Sequence, residues 1–195
     1  MKTLVVYCHP CEESFNASLR DTVLETLRDA GHAIRVRDLY GEAFQPVMSA
    51  AERRGYHDEF DNVQPVKDHV EDILWCESLI FVYPTWWYGL PAMLKGWLDR
   101  VWVPHVTFEM PSETRSARPK MQHIRKLGVV TTCGASWWLS KVIGEPGRKT
   151  LLRGMRTLCH PACKTLYMAH YKMDSSTPQS RETYLAKVRQ RLKSF

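Results

Sequence analysis

The chain predicts an α/β fold, a three-layer sandwich whose central parallel sheet has five strands in the order 2-1-3-4-5. Two observations carry this. Short apolar, β-branched runs of strand length alternate along the chain with longer segments whose apolar residues fall three and four apart, the spacing of a helix face. Residues 78–102 (SLIFVYPTWWYGLPAMLKGWLDRVW) also hold a whole strand, loop and helix in one stretch. No repeat or low-complexity linker divides the 195 residues, so one domain over residues 1–195 is expected. A chain of this size buries about 70% of its unfolded surface and needs neither disulfides nor metal staples.

Taken in order, residues 2–8 (KTLVVYC) form the first strand, and Leu19, Val23, Leu27 and Ala30 mark the buried stripe of a helix over 16–30 that Gly31 ends. Residues 33–39 (AIRVRDL) give the second strand. The pattern then weakens; residues 49–56 read as a short polar helix without assigned chemistry. Val66, Val70 and Ile73 mark a helix over 65–75. Ser78 to Tyr83 is the central strand, buried on both faces, with Pro84 as its stop. Pro91 sits where a first-turn proline would, before a helix with Leu94, Trp97 and Val101 on one side. A long connection, 103–125, is expected to be functional or mobile; His105, Phe108 and Arg118 in it are candidates to face a substrate or partner subunit, although each on its own reads better as part of a solvated loop. Residues 126–132 form the fourth strand and 164–170 (KTLYMAH) the fifth, with an amphipathic helix over 146–158 between them. Thr177 caps the final helix, whose basic C-terminal end suits the helix dipole.

In a doubly wound sheet, ligands bind at the carboxyl ends of the strands. Three loops reach that edge. The first, His9-Pro10-Cys11-Glu12-Glu13-Ser14-Phe15-Asn16-Ala17, leads into a helix N-terminus, whose unpaired amides and partial positive charge attract phosphate. Ser14 or Asn16 also suits a plain N-cap. The second, Pro84-Thr85-Trp86-Trp87-Tyr88-Gly89, places three large aromatic residues at the end of a buried strand. The third, Thr131-Thr132-Cys133-Gly134, offers hydroxyls and a flexible glycine for the polar edge of a ligand. Trp137 and Trp138 follow it, suited either to walling a pocket or to packing. Neither GxGxxG nor GxxxxGK[ST] occurs in the first loop, which disfavours a dinucleotide-binding Rossmann fold and a P-loop nucleotidase.

The arrangement YPxWWYGLPAxLKGWxDRV, together with a strand followed by HxxxxSFNxxL, resembles the NAD(P)H:quinone oxidoreductases of the flavodoxin-like fold. The resemblance covers nearly the whole chain in element order. It implies a flavin, FAD or FMN, with NAD(P)H as electron donor and a quinone-like small molecule as acceptor. It assigns His9, Ser14, Phe15, Asn16 and Ala17 to the flavin phosphate. Pro84, Thr85, Trp86, Trp87, Tyr88 and Gly89 hold the flavin ring, and Thr131, Thr132, Cys133 and Gly134 lie beside it. Cys133 replaces a glycine of the family pattern, and the tyrosine and histidine that assist hydride transfer in some members have no clear counterpart in 136–148, so no catalytic residue is assigned. The resemblance further implies a homodimer and admits a role as accessory subunit of a potassium-efflux transporter, with a peripheral membrane partner.

Composition sets the remaining bounds. With 44% hydrophobic and 25% charged residues the chain is an ordinary globular one. The first ten residues lack the apolar core of a secretory signal and no stretch is long enough to span a membrane, so a cytoplasmic protein with reduced thiols at its six cysteines is expected. The net charge of +6 suits anionic ligands such as nicotinamide dinucleotides, leaning toward NADPH, and no specific nucleic-acid partner is expected. Cys8-His9-Pro10-Cys11 has the spacing of a thiol–disulfide catalyst, the main rival reading. A metal site is not expected, because the C-x3-C of Cys159 and Cys163 fits ligand spacing poorly.

Overall fold

The computed structural model describes residues 1–195. In chain order its elements begin β1 (Lys2–Tyr7), α1 (Phe15–Asp29), β2 (Ala33–Asp38), α2 (Ala50–Gly55), α3 (Lys67–Trp75), β3 (Ser78–Thr85) and α4 (Ala92–Val101). A small antiparallel pair, β4 (Phe108–Glu109) and β5 (Arg118–Pro119), precedes β6 (Lys126–Cys133). The chain continues with α5 (Trp137–Ile143), α6 (Pro146–Lys149), β7 (Lys164–His170) and α7 (Pro178–Lys193). After α6 the helical path winds on as a π turn, Thr150–Gly154, and a 3₁₀ turn, Met155–Leu158.

The five large strands form one parallel sheet in the order β2-β1-β3-β6-β7, the 2-1-3-4-5 order expected. Alternate residues of the central strands point to opposite faces and build two separate cores. On one face Leu4, Val6, Phe81 and Val129 meet Ile73 of α3, Leu94, Trp97 and Val101 of α4, and Leu151 and Met155. On the other, Val5, Ile80, Val82 and Val130 meet Leu19, Val23 and Leu27 of α1 and Val188 and Leu192 of α7.

One boundary differs instructively from expectation. Pro84 does not stop β3; it pairs with Thr132 of β6, and the strand runs on to Thr85. The reason lies in the neighbouring strand. Val82 turns its carbonyl toward β1, where the Cys8 amide donates to it at 3.0 Å. Backbone groups alternate sides, so the nitrogen of Pro84 faces the same way as those of Val82, beyond the last β1–β3 pair, Tyr7 with Val82. No ladder hydrogen bond is lost there. Pro91 is likewise the N-cap of α4 rather than its first helical residue.

The weakly patterned stretch after β2 is held by ion pairs. Ser49 and Glu52 form a capping box on α2, and Glu52 also accepts from Arg100 Nε of α4 at 2.7 Å. Asp72 of α3, buried, accepts from Arg35 at 2.7 Å and Arg37 at 2.5 Å of β2. Gly96 of α4 lies directly on Pro46, leaving no room for a Cβ.

Candidate functional site

Parallel pairing puts the carboxyl ends of β1, β3 and β6 at one edge of the sheet, side by side, and the three predicted loops leave from there. Each has a different chemistry.

In the first loop, Ser14 has an extended backbone and its hydroxyl accepts from the Ala17 amide at 3.1 Å, so it is the N-cap of α1. The Ala17 amide is thereby committed, while those of Phe15 and Asn16 make no backbone hydrogen bond. Two donors at a helix start thus remain free for an anion. The Cys11 amide donates to His9 Nδ1 at 3.0 Å. An amide can only donate, so Nδ1 is the acceptor and the neutral ring carries its proton on Nε2. The His9 ring lies 6.1 Å from that of Trp86, which brings the first loop against the second. Phe15 packs edge-on to His170 at the end of β7, with centroids 5.6 Å apart.

The second loop is a tight turn in which the Gly89 amide donates to the Trp86 carbonyl at 3.0 Å. Its central residues, Trp87 and Tyr88, have φ of 48° and 61°. Left-handed backbone in bulky non-glycine residues costs of order 1 kcal/mol each and persists only where the surroundings enforce it. The turn is not held by packing of Trp87, whose side chain is 95% exposed. The amides of Trp87 and Tyr88 have no backbone partner either.

The third loop ties the others together. Thr131 Oγ1 donates to the Tyr83 carbonyl at 2.6 Å and lies 3.0 Å from Thr85 Oγ1. Thr132 Oγ1 accepts from Asn16 Nδ2 at 3.0 Å, joining the start of α1 to the end of β6. Asn16 Oδ1, also buried, is left without a partner. Cys133 is buried, its sulfur 3.6 Å from Ser140 Oγ, and Gly134 lies against the carboxylate of Asp174, which would have to swing aside for a Cβ.

The segment that follows contains what sequence reasoning missed. A small cavity reaches Thr85, Tyr88 and Cys133 on one side and Glu145, Arg148, Tyr167 and Tyr171 on the other. Glu145 is buried and has a left-handed backbone, φ 48°. Its carboxylate accepts from Lys141 at 2.5 Å, Arg148 at 2.8 Å and the Tyr171 hydroxyl at 2.8 Å. Burial alone would raise this carboxyl, but those three hydrogen bonds outweigh it and hold it below the usual glutamate value. Burial, followed by the Glu145 charge, pushes the phenols of Tyr167 and Tyr171 up, so both stay protonated. Gly147 lies on the second loop: a Cβ here would stand 3.2 Å from the carbonyl carbon of Gly89. The signal in the sequence was the Gly-Glu-Pro-Gly-Arg turn, 144–148, flanked by Lys141 and by a tyrosine just after the last strand.

Other expected positions lie elsewhere. The connection 103–125 leaves the C-terminal end of α4 and enters the N-terminal end of β6, the edge opposite the three loops. There His105 faces the His57 carbonyl at 3.1 Å, and in the small β4–β5 ribbon Phe108 pairs with Pro119 and Arg118 with Glu109. Trp137 and Trp138 both belong to α5 and are exposed. Cys8 is fully buried and its thiol is pushed up to about 12 by desolvation, whereas Cys11 is exposed. A thiol–disulfide catalyst needs the reverse, an accessible thiol of lowered pKa.

Among known proteins, the family model described as flavodoxin-like fold matches residues 1–192. The mouse ribosyldihydronicotinamide dehydrogenase [quinone] is 27% identical over 213 aligned positions, covering 100% of this chain and 91% of that protein. A ribosyldihydronicotinamide dehydrogenase-like protein of Penicillium crustosum is 30% identical over 117 positions, covering 52% of this chain, and the match spans only 44% of that relative's length. The crystal structure of Smu.1420 from Streptococcus mutans UA159 superposes with a TM-score of 0.86 at 27% identity, each chain covered over 100% of its length. The sheet order, the three loops at its carboxyl edge and these matches together identify the chain as a member of the flavodoxin-like fold family, among relatives that are NAD(P)H:quinone oxidoreductases.

Proposed function

We propose that the chain is a single flavin-binding domain, residues 1–195, acting as an NAD(P)H oxidoreductase that reduces quinones or similar planar acceptors by two electrons. The observation that carries this reading is the convergence at one sheet edge of two free helix-start amides, a strained aromatic turn and a buried polar strand end. When bound, a flavin, FMN or FAD, accepts hydride from the nicotinamide and passes two electrons on.

The residues present fit such a group. The amides of Phe15 and Asn16, with the Nε2 proton of His9, bind phosphate. The unpaired amides of Trp87 and Tyr88 are donors for the negative charge of a reduced ring, and Trp86 beside His9 offers a flat apolar face. The buried Asn16–Thr132 bond holds the start of α1, which would take the phosphate, against the end of β6. Protein groups here bind and orient; no nucleophile is needed. Exposed Trp137, Trp138, Val142 and Ile143 of α5 leave an apolar surface that a second copy of the chain would cover as a homodimer.

The decisive experiment is the visible spectrum of the purified protein after incubation with FMN or FAD, followed by anaerobic NADPH. Oxidised-flavin bands that bleach on addition of donor are the expected outcome. A folded protein that takes up neither flavin would overturn the proposal.

A further inference from the structure

Beside the cavity at the aromatic turn lies a second one of about 250 Å³, lined by Lys141, Gly144, Glu145, Arg148, Lys149 and Arg153, with no apolar side chain among them. The two cavities share Glu145 and Arg148 and so lie side by side at the turn. The second cavity sets four cations against one carboxylate, a net charge of +3 from 4 − 1. That carboxylate is already committed to Lys141, Arg148 and Tyr171.

Lys149 and Arg153 have no acidic partner. Glu145 is the one carboxylate lining the cavity, so nothing else within it neutralises them. The left-handed backbone at Glu145 is a second, independent sign, since strain of this kind collects where a side chain must be aimed. Here it aims a carboxylate that fixes two cations at the wall between the cavities.

We infer that this cavity holds the terminal phosphate of the electron donor, so that the protein selects a nicotinamide dinucleotide carrying a ribose phosphomonoester, NADPH, over NADH. A phosphomonoester brings nearly two negative charges and three acceptor oxygens to neutral pH, which unpaired lysine and arginine side chains satisfy. The free hydroxyl that NADH has at that position is neutral and leaves the cations facing each other. This inference rests on the oxidoreductase reading and goes beyond it in naming the donor.

The test uses the flavin-loaded protein and two probes, 2′,5′-ADP and 5′-ADP, titrated by calorimetry at low and high salt, beside steady-state kinetics with NADPH and NADH. The expected result is that 2′,5′-ADP binds about tenfold more tightly than 5′-ADP at low salt, with the advantage shrinking as salt rises. In a Lys149→Ala/Arg153→Ala variant the ratio falls to near one, and the preference for NADPH in kcat/KM falls with it. The flavin spectrum of the variant reports that it is folded. Equal affinity for the two probes, binding of neither, or a ratio that survives in the double variant would each overturn the inference. Failure to take up flavin at the outset is a different result and counts against the oxidoreductase reading instead.

Discussion

The two segments that flank the edge of the site are built on opposite terms. Residues 9–17 are organised locally: a serine cap, a histidine held by the amide two residues on, and two helix amides left open. Residues 136–148 are organised at a distance and closed on themselves. Their central carboxylate is satisfied by three partners, one of them Tyr171 from beyond β7, and their glycine lies on the backbone of another loop. The first segment presents donors to a ligand, and the second holds the turn that the ligand would lie on. Seat and support are thus separate pieces, and substitutions can separate them further.

The largest effect is expected at the support. Gly147→Ala places a methyl 3.2 Å from the Gly89 carbonyl carbon, which is backbone and cannot swing aside. A cost of about 2–3 kcal/mol in urea denaturation is expected, as for overpacking, together with weaker flavin affinity. Unchanged affinity would show that the turn is independent of its support. Asn16→Ala removes the buried bond to Thr132 and is expected to cost about 1–2 kcal/mol. It should lower flavin affinity more than Gly147→Ala does, because it touches the seat itself.

Glu145→Gln is expected to cost about 1 kcal/mol near neutral pH, since its partner cations are substantially exposed. It also changes the pH dependence. The folded protein holds this carboxyl below its ordinary value, so its stabilisation is complete above about pH 4.3 and is lost as pH falls through the depressed value. Thermal melts in acid should show a slope in the parent that is shallower in the variant; parallel slopes would mean that the carboxylate is not held this way.

His69 adds an acid slope of the same sign from outside the site. Half-buried, and accepting from Trp97 Nε1 at 3.2 Å, it is lowered to about 4 mainly by desolvation. Its contribution is therefore complete above about pH 6.5 and is lost as pH falls toward the folded value. The Glu145→Gln difference must accordingly be read against the parent, not against a flat baseline.

The smallest effect is a gain. Trp87→Gly relieves a left-handed residue whose side chain packs on nothing, and a stabilisation of about 0.5 kcal/mol is expected, less than the relieved strain because glycine is freer when unfolded. If flavin affinity falls while stability rises, the strain serves binding.

Much of this was legible along the chain. The five strands of the main sheet, a cap at Ser14 or Asn16 and the aromatic loop were read from patterns that span a few residues each, because strand burial and helix capping are local requirements, and the sheet order followed from the doubly wound topology. Pro84 misled for the converse reason. Whether a proline breaks a strand depends on what its nitrogen faces, and only the early end of β1 shows that it faces nothing. The connection 103–125 shows the same limit, since its length carries no information about which sheet edge it crosses.

By itself, then, the sequence determined the doubly wound sheet and the three loops that could meet a flavin, since apolar period and turn chemistry are written in consecutive residues. Only the tertiary structure decided that Glu145, Arg148, Tyr167 and Tyr171 stand opposite Thr85, Tyr88 and Cys133, and that Lys149 and Arg153 remain without acidic partners beside them. These are contacts between elements brought together by a crossover of the chain, and the charge left over in a cavity is known only when every neighbour has been placed.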